Sequence, residues 1–269
     1  MHVQAVTVMY LSFKKVSKLP KITIITVAHN SANTIRDTIK SIIAQDYNNI
    51  EYIIIDGGSS DGTVDIIKEF PDRVDYYISE KDRGIYDAMN KGILAATGDI
   101  IGILNSDDFY PNNFILSNVA KSFHQQQCDA VYGDLVYVNA KDTSKIKRYW
   151  QAGTYTTTKI KNGLMLPHPT FFVKSSIYKR FGLYNTELKQ AADYQMILKL
   201  LYKHNILVAY IPMILVKMRM GGASNISLIQ RLRANKEDGL AWTKNQLDKP
   251  LFVRIKKPLQ KIRQFFIKP

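Results

Sequence analysis

Short apolar runs rich in β-branched residues alternate along the chain with segments whose apolar positions recur every three or four residues. Residues 21–28 (KITIITVA) are the first such run; beyond polar His29-Asn30-Ser31, Ile35, Ile39, Ile42 and Ile43 fall on one side of a helix. Residues 50–55 repeat the strand, run into Asp56-Gly57-Gly58-Ser59-Ser60-Asp61-Gly62-Thr63, and give way to a helix over 64–70. A third strand follows over 74–79, a third helix over 85–96 and a fourth strand over 99–104. Apolar strands alternating with helices predict an α/β fold with a parallel sheet covered on both faces. Ligands of such sheets bind beyond the carboxyl ends of the strands. Those ends carry His29-Asn30, the 56–61 stretch and Asn105-Ser106-Asp107-Asp108, so three polar clusters converge on one edge.

After Asp108 the alternation loosens. Residues 129–138 read as a strand pair around Gly133-Asp134, 154–161 as a polar loop and 167–173 as a strand. Residues 191–203 read as an amphipathic helix on Ile197, Leu198, Leu200 and Leu201, and 206–211 and 214–218 as two strands.

The chain has 269 residues, 46% of them hydrophobic, enough for a packed core without staples. Its single cysteine, Cys128, allows no intrachain disulfide and fits a reducing compartment, with the cytoplasm as default. Residues 1–20 place their lysines after the apolar stretch and read as a lead-in, not an export signal. No apolar run approaches the roughly 20 residues of a spanning helix. The formal charge is +14, and residues 226–269 hold eleven basic residues against three acids. Within that end, Leu251, Phe252, Ile255, Leu259, Ile262, Phe265 and Phe266 recur at helical spacing beside a cationic face, divided at Pro258. This predicts a helical extension over 221–269 that either lies on an anionic membrane surface or docks on the rest of the chain. The basic residues lack the aromatic interleaving of a nucleic-acid platform, so no nucleic-acid partner is expected.

The acidic cluster offers oxygen ligands at a strand end, which suits Mg²⁺ or Mn²⁺ completed by substrate phosphates; a turn with a helix cap before Pro111 is the plain alternative. Asp56 stands at a strand tip before glycines that let a ligand approach the backbone, without the Gly-x-Gly-x-x-Gly of a dinucleotide site. Asp61 reads as the cap of the following helix. In Glu80-Lys81-Asp82-Arg83-Gly84-Ile85-Tyr86-Asp87-Ala88-Met89-Asn90-Lys91-Gly92, the side chains of Asp87, Asn90 and Lys91 share one helix face, and Arg83 or Lys91 is placed to meet a phosphate.

The strings TVAHNSANTIRDTIKSI, YIIIDGGSSDGT, EKDRGIYDAMNKGI and HPTFFVKSSIYKRFGLYNTELKQAADYQMILKL, in this order over 21–220, together resemble glycosyltransferase family 2, in its branch of bacterial colanic-acid and exopolysaccharide transferases. The resemblance implies the GT-A fold: a mostly parallel sheet with helices on both faces, a catalytic domain over 21–220 with a nucleotide-binding half (21–110) and an acceptor half (111–220), and the basic extension. It implies inverting transfer from a nucleotide sugar, with a bias toward uridine, to a saccharide or lipid-linked acceptor in surface polysaccharide synthesis. The enzyme would be cytoplasmic or peripheral at the inner face of the plasma membrane. Asp56 matches the acid that contacts the nucleoside, Asp82 and Arg83 the second nucleotide-contacting loop, and Ala28 and Asn30 the first. Asn105-Ser106-Asp107 matches the Asp-x-Asp motif, with Asn105 departing from its first carboxylate, Asp107 the retained metal ligand and Asp108 a second one. Asp193 falls where the family has its catalytic base, and His168 matches a histidine near the active site. The competing classes are a nucleotidyltransferase, which expects a Gly-rich, basic loop after the first strand where this chain has Val27-Ala28-His29-Asn30-Ser31, and a non-catalytic lipid- or nucleic-acid-binding protein, suggested by charge alone.

Overall fold

The computed structural model describes residues 19–221, 228–250, 264 and 267. The first half folds as its periodicity predicts. Strands β1 (Ile22–Ala28), β2 (Ile50–Asp56), β3 (Tyr76–Ser79) and β4 (Ile100–Ile103) alternate with helices α1 (Ile35–Ile43), α2 (Thr63–Lys68) and α3 (Ile85–Ala95). β1 is buried along its whole length because it is central: β2 pairs with it on one side and β4 on the other, both in parallel. Its β-branched side chains suit this two-sided burial. Ile25 and Val27 pack on one face with Ile53, Tyr86 and Met89, whereas Ile22 and Ile24 pack on the other with Ile35, Ile39 and Ile54. α3 lies so close to the sheet that a Cβ on Gly92 would stand 2.4 Å from Ile25 Cγ2.

The second half supplies β5 (Asp108–Phe109), α4 (Ile115–Gln126), β6 (Ala130–Val138), β7 (Ile146–Trp150), α5 (Thr157–Lys161), β8 (Phe172–Lys174), α6 (Ser175–Phe181), α7 (Ala192–Ile197), β9 (Val208–Arg219) and α8 (Leu228–Lys244). The sheet runs β3-β2-β1-β4-β8-β6-β9-β5, with β7 beside β6. It is mostly parallel, but β8, β7 and β5 enter antiparallel, so the uniform parallel sheet expected from the alternation stops at β4. Apolar side chains of α1, α2 and α4 pack in the core on one face, and those of α3, α5, α6, α7 and α8 on the other.

Four local expectations are corrected. Residues 129–138 are one strand, not a pair, because the glycine that suggested a turn accommodates a bulge: Gly133 faces Ile211 while Asp134 faces Ile214. The same bulge lets Pro212 sit within a continuous β9, although it has no N–H for the ladder, so the two strands expected over 206–218 are one. The loop over 154–161 contains α5, started by Thr156, whose hydroxyl accepts the Lys159 N–H. Within 167–173, His168–Thr170 form a 3₁₀ turn and only β8 is extended. The helix over 191–203 holds as α7 but widens over Leu198–Lys203 into a π-helical turn.

At the amino ends of the strands Glu51 is buried, its carboxylate accepting from Thr23 Oγ1 (2.5 Å), Thr97 N (2.8 Å) and Lys21 Nζ (2.9 Å). Burial opposes its ionisation, but these donors outweigh it and hold the carboxyl at about 2, below the ordinary 4.5. A depressed carboxyl stabilises the fold above its unfolded value, and that stability drains as pH falls from about 4.5 through about 2. Glu51→Gln is therefore expected to lose about 3 kcal/mol at neutral pH and to flatten this part of the stability curve, as read from urea midpoints against pH.

Candidate active site

The carboxyl ends of β1, β2, β3 and β4 share one edge by their parallel pairing. β8 runs against β4, with Phe172 opposite Gly102, so the turn before it returns His168 to the same edge. β6 and β9 run with β4, which brings Tyr137 and Arg219 there as well.

The loops after β1, β2 and β3 interlock. Asp56 is fully buried: Oδ2 accepts from Gly58 N, Ser59 N and Ser79 Oγ (3.1, 2.9 and 2.6 Å), and Oδ1 from Ser59 Oγ. It shapes the glycine turn it precedes. A Cβ on Gly57 would lie 2.7 Å from Asp82 Oδ2, so glycine is what allows Asp82 to close against the Asp56 turn. Asp82 Oδ1 accepts from Gly84 N at 2.9 Å. Ala28 gives its carbonyl to Gly57 N (2.8 Å), and Asn30, at φ 49°, accepts Ser60 N on Oδ1 (3.0 Å). Ser106 Oγ meets Ser31 Oγ at 2.7 Å. Asp61 corrects its expectation by one place: Gly62 is the cap residue of α2, while Asp61 Oδ1 accepts Thr63 N and Oδ2 accepts Ala32 N, joining the first two loops.

Asp87, Asn90 and Lys91 do not act as one patch, because each has its own partner. Asp87 accepts from Arg83 Nη2 (2.8 Å), whose hydrogen bond and charge hold its carboxyl below the usual range. Lys91 pairs with Glu80 at 2.7 Å. The Asn90 amide is used in both directions on the backbone of Tyr184 (2.9 Å each), tying α3 to the loop before α7. Of the expected phosphate groups, only the Arg83 guanidinium stays largely open to solvent, its side chain 79% exposed.

In the acidic turn, burial pushes the Asp107 carboxyl above its ordinary range against the pull of Arg219. Asp108 is fully buried; burial first, then the charge of Asp107, pushes it up much further. Asn105 Oδ1 is buried without a hydrogen-bond partner among the described residues, while the Arg219 N–H and the Asn105 amide, poorly aligned on the Asp108 carboxyl, pull it down only in part. An unpartnered acceptor beside two acids fits a hard divalent cation, which would satisfy what the protein leaves unpaired. Among the described residues no three His, Cys, Asp or Glu side chains gather into a group that could hold a metal ion by itself.

The sequence reading missed Arg219. Its buried guanidinium donates to the Asp107 carbonyl (2.8 Å), pairs with Asp37 on α1 and lies 4.7 Å over the Phe109 ring, fastening the acidic turn between α1 and β9. The available signal was a buried-face cation closing a largely apolar strand that also carries Lys217.

Asp193 opens α7. Its Oδ1 accepts from Tyr86 Oη (3.1 Å) and from Tyr194 N (2.8 Å), and its Oδ2 lies 3.0 Å from His168 Nδ1. Tyr86, also missed, is buried, and burial together with the nearby Asp193 charge pushes its phenol well up, so it remains a donor. Burial raises the Tyr137 phenol against the charge of Arg148, which lies 4.5 Å over its ring, and the charges of Asp108 and Asp193 add to the rise.

α8 grips α7 from behind. Trp242, fully buried, donates Nε1 to Tyr194 Oη (3.1 Å), Asn245 exchanges hydrogen bonds with Gln195, and Glu237 accepts Gln190 N at 2.7 Å. Part of the basic extension is thus packed against the segment that carries Asp193; the apolar stripe over 251–266, apart from Gln264, lies outside the described residues. Trp242→Ala is expected to destabilise the protein by about 3–5 kcal/mol, measured by denaturant unfolding.

The family model described as Glycosyl transferase family 2 matches residues 23–185. A Mycobacterium tuberculosis protein (strain CDC 1551 / Oshkosh), named an uncharacterized glycosyltransferase, is 30% identical over 182 residues, 67% of this chain and 68% of the relative. The PGL/p-HBAD biosynthesis glycosyltransferase of Mycobacterium bovis (BCG / Pasteur 1173P2) is 25% identical over 77% of this chain and 80% of its own. In fold, the chain is similar to S. aureus TarS 1-349 in complex with UDP, with a TM-score of 0.62 and 17% identity over 85% of this chain and 67% of that one. It is likewise similar to the mannosyltransferase PcManGT of Pyrobaculum calidifontis in complex with GDP-Man and Mn²⁺, with a TM-score of 0.66 and 18% identity over 90% and 72%.

Proposed function

We propose, from the premise that this chain belongs to glycosyl transferase family 2, that it transfers a sugar from a nucleotide-sugar donor to a hydroxyl of a saccharide or lipid-linked saccharide, inverting the anomeric carbon. Its architecture is that of the GT-A glycosyltransferases. The reading rests on one observation: strand pairing brings the buried acidic turn of Asp107 and Asp108 and the turn of His168, whose ring pairs with Asp193, to one edge of the sheet.

Inverting transfer needs an acceptor proton to be withdrawn while the acceptor oxygen attacks opposite the departing diphosphate. Asp193 supplies the negative charge on which that withdrawal depends. Asp107 and Asp108 would hold Mg²⁺ or Mn²⁺, which when bound offsets charge on the leaving diphosphate. The Asp56 turn and Asp82 receive the nucleoside, Arg83 reaches the phosphates, and Asn105 Oδ1 takes a sugar hydroxyl or a water on the cation. Ala28, Asn30, Ser106 and Asn90 hold these loops in place, while Asp87 and Lys91 set the positions of Arg83 and Glu80. UDP is the favoured nucleotide, in line with the UDP-bound fold neighbour, and GDP the second, in line with the GDP-mannose-bound one. The sequence resemblance supports a role in bacterial surface polysaccharide synthesis. Among the described residues no helix is long and apolar enough to cross a membrane. The cationic stripe over 251–266 favours work at the inner face of the plasma membrane.

A thermal-shift screen tests the donor side. UDP with Mn²⁺ is expected to raise Tm by more than the two separate shifts together, because the cation is completed by the diphosphate. Additive shifts, or none with UDP or GDP, would remove the shared site.

A further inference from the structure

We propose that Glu237 on α8 is a positioning residue for Asp193, supplying from the C-terminal extension the cap that α7 does not make for itself; this rests on the transferase reading above. A helix is commonly opened by a short polar side chain at the cap, which accepts the N–H three residues on, and by a Glu or Gln at that third position, which reaches back to the cap N–H. At the start of α7 the cap residue is Ala191, which has no side-chain acceptor, and the third position is Tyr194, which has no carboxylate to reach back. Both N–H groups are taken by other residues. Tyr194 N donates to Asp193 Oδ1 at 2.8 Å. Ala191 N, and Gln190 N before it, donate to Glu237 Oε2 at 3.2 and 2.7 Å. The carboxylate on which proton withdrawal depends is therefore itself half of the cap, and the other half comes from α8.

α8 holds the chain on both sides of Asp193. Glu237 takes the two residues before α7, Trp242 Nε1 donates to Tyr194 Oη at 3.1 Å, and Asn245 exchanges hydrogen bonds with Gln195 at 2.6 and 2.9 Å. Glu237, Ala241, Trp242 and Asn245 recur at helical spacing, so they share one face of α8, and Ala241 and Trp242 are fully buried there. Tyr86 on α3 and His168 before β8 meet the carboxylate itself, at 3.1 and 3.0 Å. The place of Asp193 is thus set by partners from three separate elements, and Glu237 fixes the point at which its helix begins.

Without the Glu237 acceptor two N–H groups at the start of α7 lose their partner, and the first turn, which carries Asp193, is free to shift against Tyr86 and His168. A displacement of about 1 Å at a reacting group costs on the order of 10²-fold in rate. The loops after β1 to β4 are not touched by Glu237, so the loss falls on turnover and not on the nucleotide.

The test uses the full-length protein with Mn²⁺, water as acceptor and, as donor, whichever of UDP-GlcNAc, UDP-glucose, UDP-galactose and GDP-mannose it hydrolyses. Glu237→Ala is expected to lower kcat for nucleotide release by about 10- to 10²-fold while donor KM and UDP affinity stay at the parent's values. Glu237→Gln, whose amide oxygen still accepts both N–H groups, is expected to recover most of the turnover. Lys244→Ala, which removes an exposed ion pair with Glu187 from the same helix, is expected to turn over as the parent does. Glu237 is half-buried, so its variants are expected to fold, as checked by urea unfolding. An unchanged kcat in Glu237→Ala would overturn the assignment. So would a Glu237→Gln as slow as Glu237→Ala, or a loss of UDP affinity in step with kcat, which would make α8 a support for the whole cleft. No release from any donor by the unaltered protein would instead defeat the transferase reading, an outcome distinct from a parent and a Glu237→Ala that turn over alike.

Discussion

Asp193→Asn is expected to bind UDP with Mn²⁺ as the parent does and to turn over donor about 10²- to 10⁴-fold more slowly, the range for loss of assisted proton transfer. The substitution keeps the shape of the side chain and an oxygen for Tyr86 or Tyr194, so α7 retains its start. What it removes is the charge facing His168 at 3.0 Å. In the proposed function donor affinity resides in other residues, on the loops after β1 to β4, so binding and turnover should separate. Calorimetry with UDP and steady-state nucleotide release on the same preparation check this, and a parallel fall in both would show that Asp193 only supports the fold.

The second large effect falls on the acidic turn and has opposite signs for stability and function. Asp108 is a fully buried carboxyl, held well above its ordinary range by burial and by Asp107 although the Arg219 N–H and the Asn105 amide pull the other way. Such a group costs the fold stability unless a cation satisfies it. Asp108→Asn is therefore expected to raise the Tm of the metal-free protein by a few degrees while removing the additional stabilisation by Mn²⁺ with UDP and most of the turnover. Lower Tm with the Mn²⁺ and UDP increment intact would assign Asp108 to packing alone.

The parts legible in the sequence are those written locally. β1 to β4 and α1 to α3 follow from periodicity, and the convergence of the Asp56, Asp82 and Asn105-to-Asp108 loops follows from parallel pairing. Asp193 and His168 became candidates through resemblance, since nothing in their spacing announces a contact. Pairings across long separations were out of reach: Tyr86 meets Asp193 across 107 positions and Arg219 meets the Asp107 carbonyl across 112. The same holds for Asn90, whose place on a polar helix face suggested a ligand but whose amide completes the backbone of Tyr184. Gly133 misled because one residue type serves turns and bulges alike, and only the partner strand decides between them. The grip of α8 on α7 was hidden because the charge of the extension drew attention to its surface, while Trp242 and Asn245 make the contact.

The most direct test of the transferase reading is nucleotide release. The full-length protein is incubated with Mn²⁺ and, separately, with UDP-GlcNAc, UDP-glucose, UDP-galactose and GDP-mannose, and the free nucleoside diphosphate is measured over time. The account predicts release from at least one donor, abolished by a chelator and by Asp193→Asn. No release from any of the four, together with pyrophosphate formation from UTP and a sugar 1-phosphate, would contradict it and make the chain a nucleotidyltransferase.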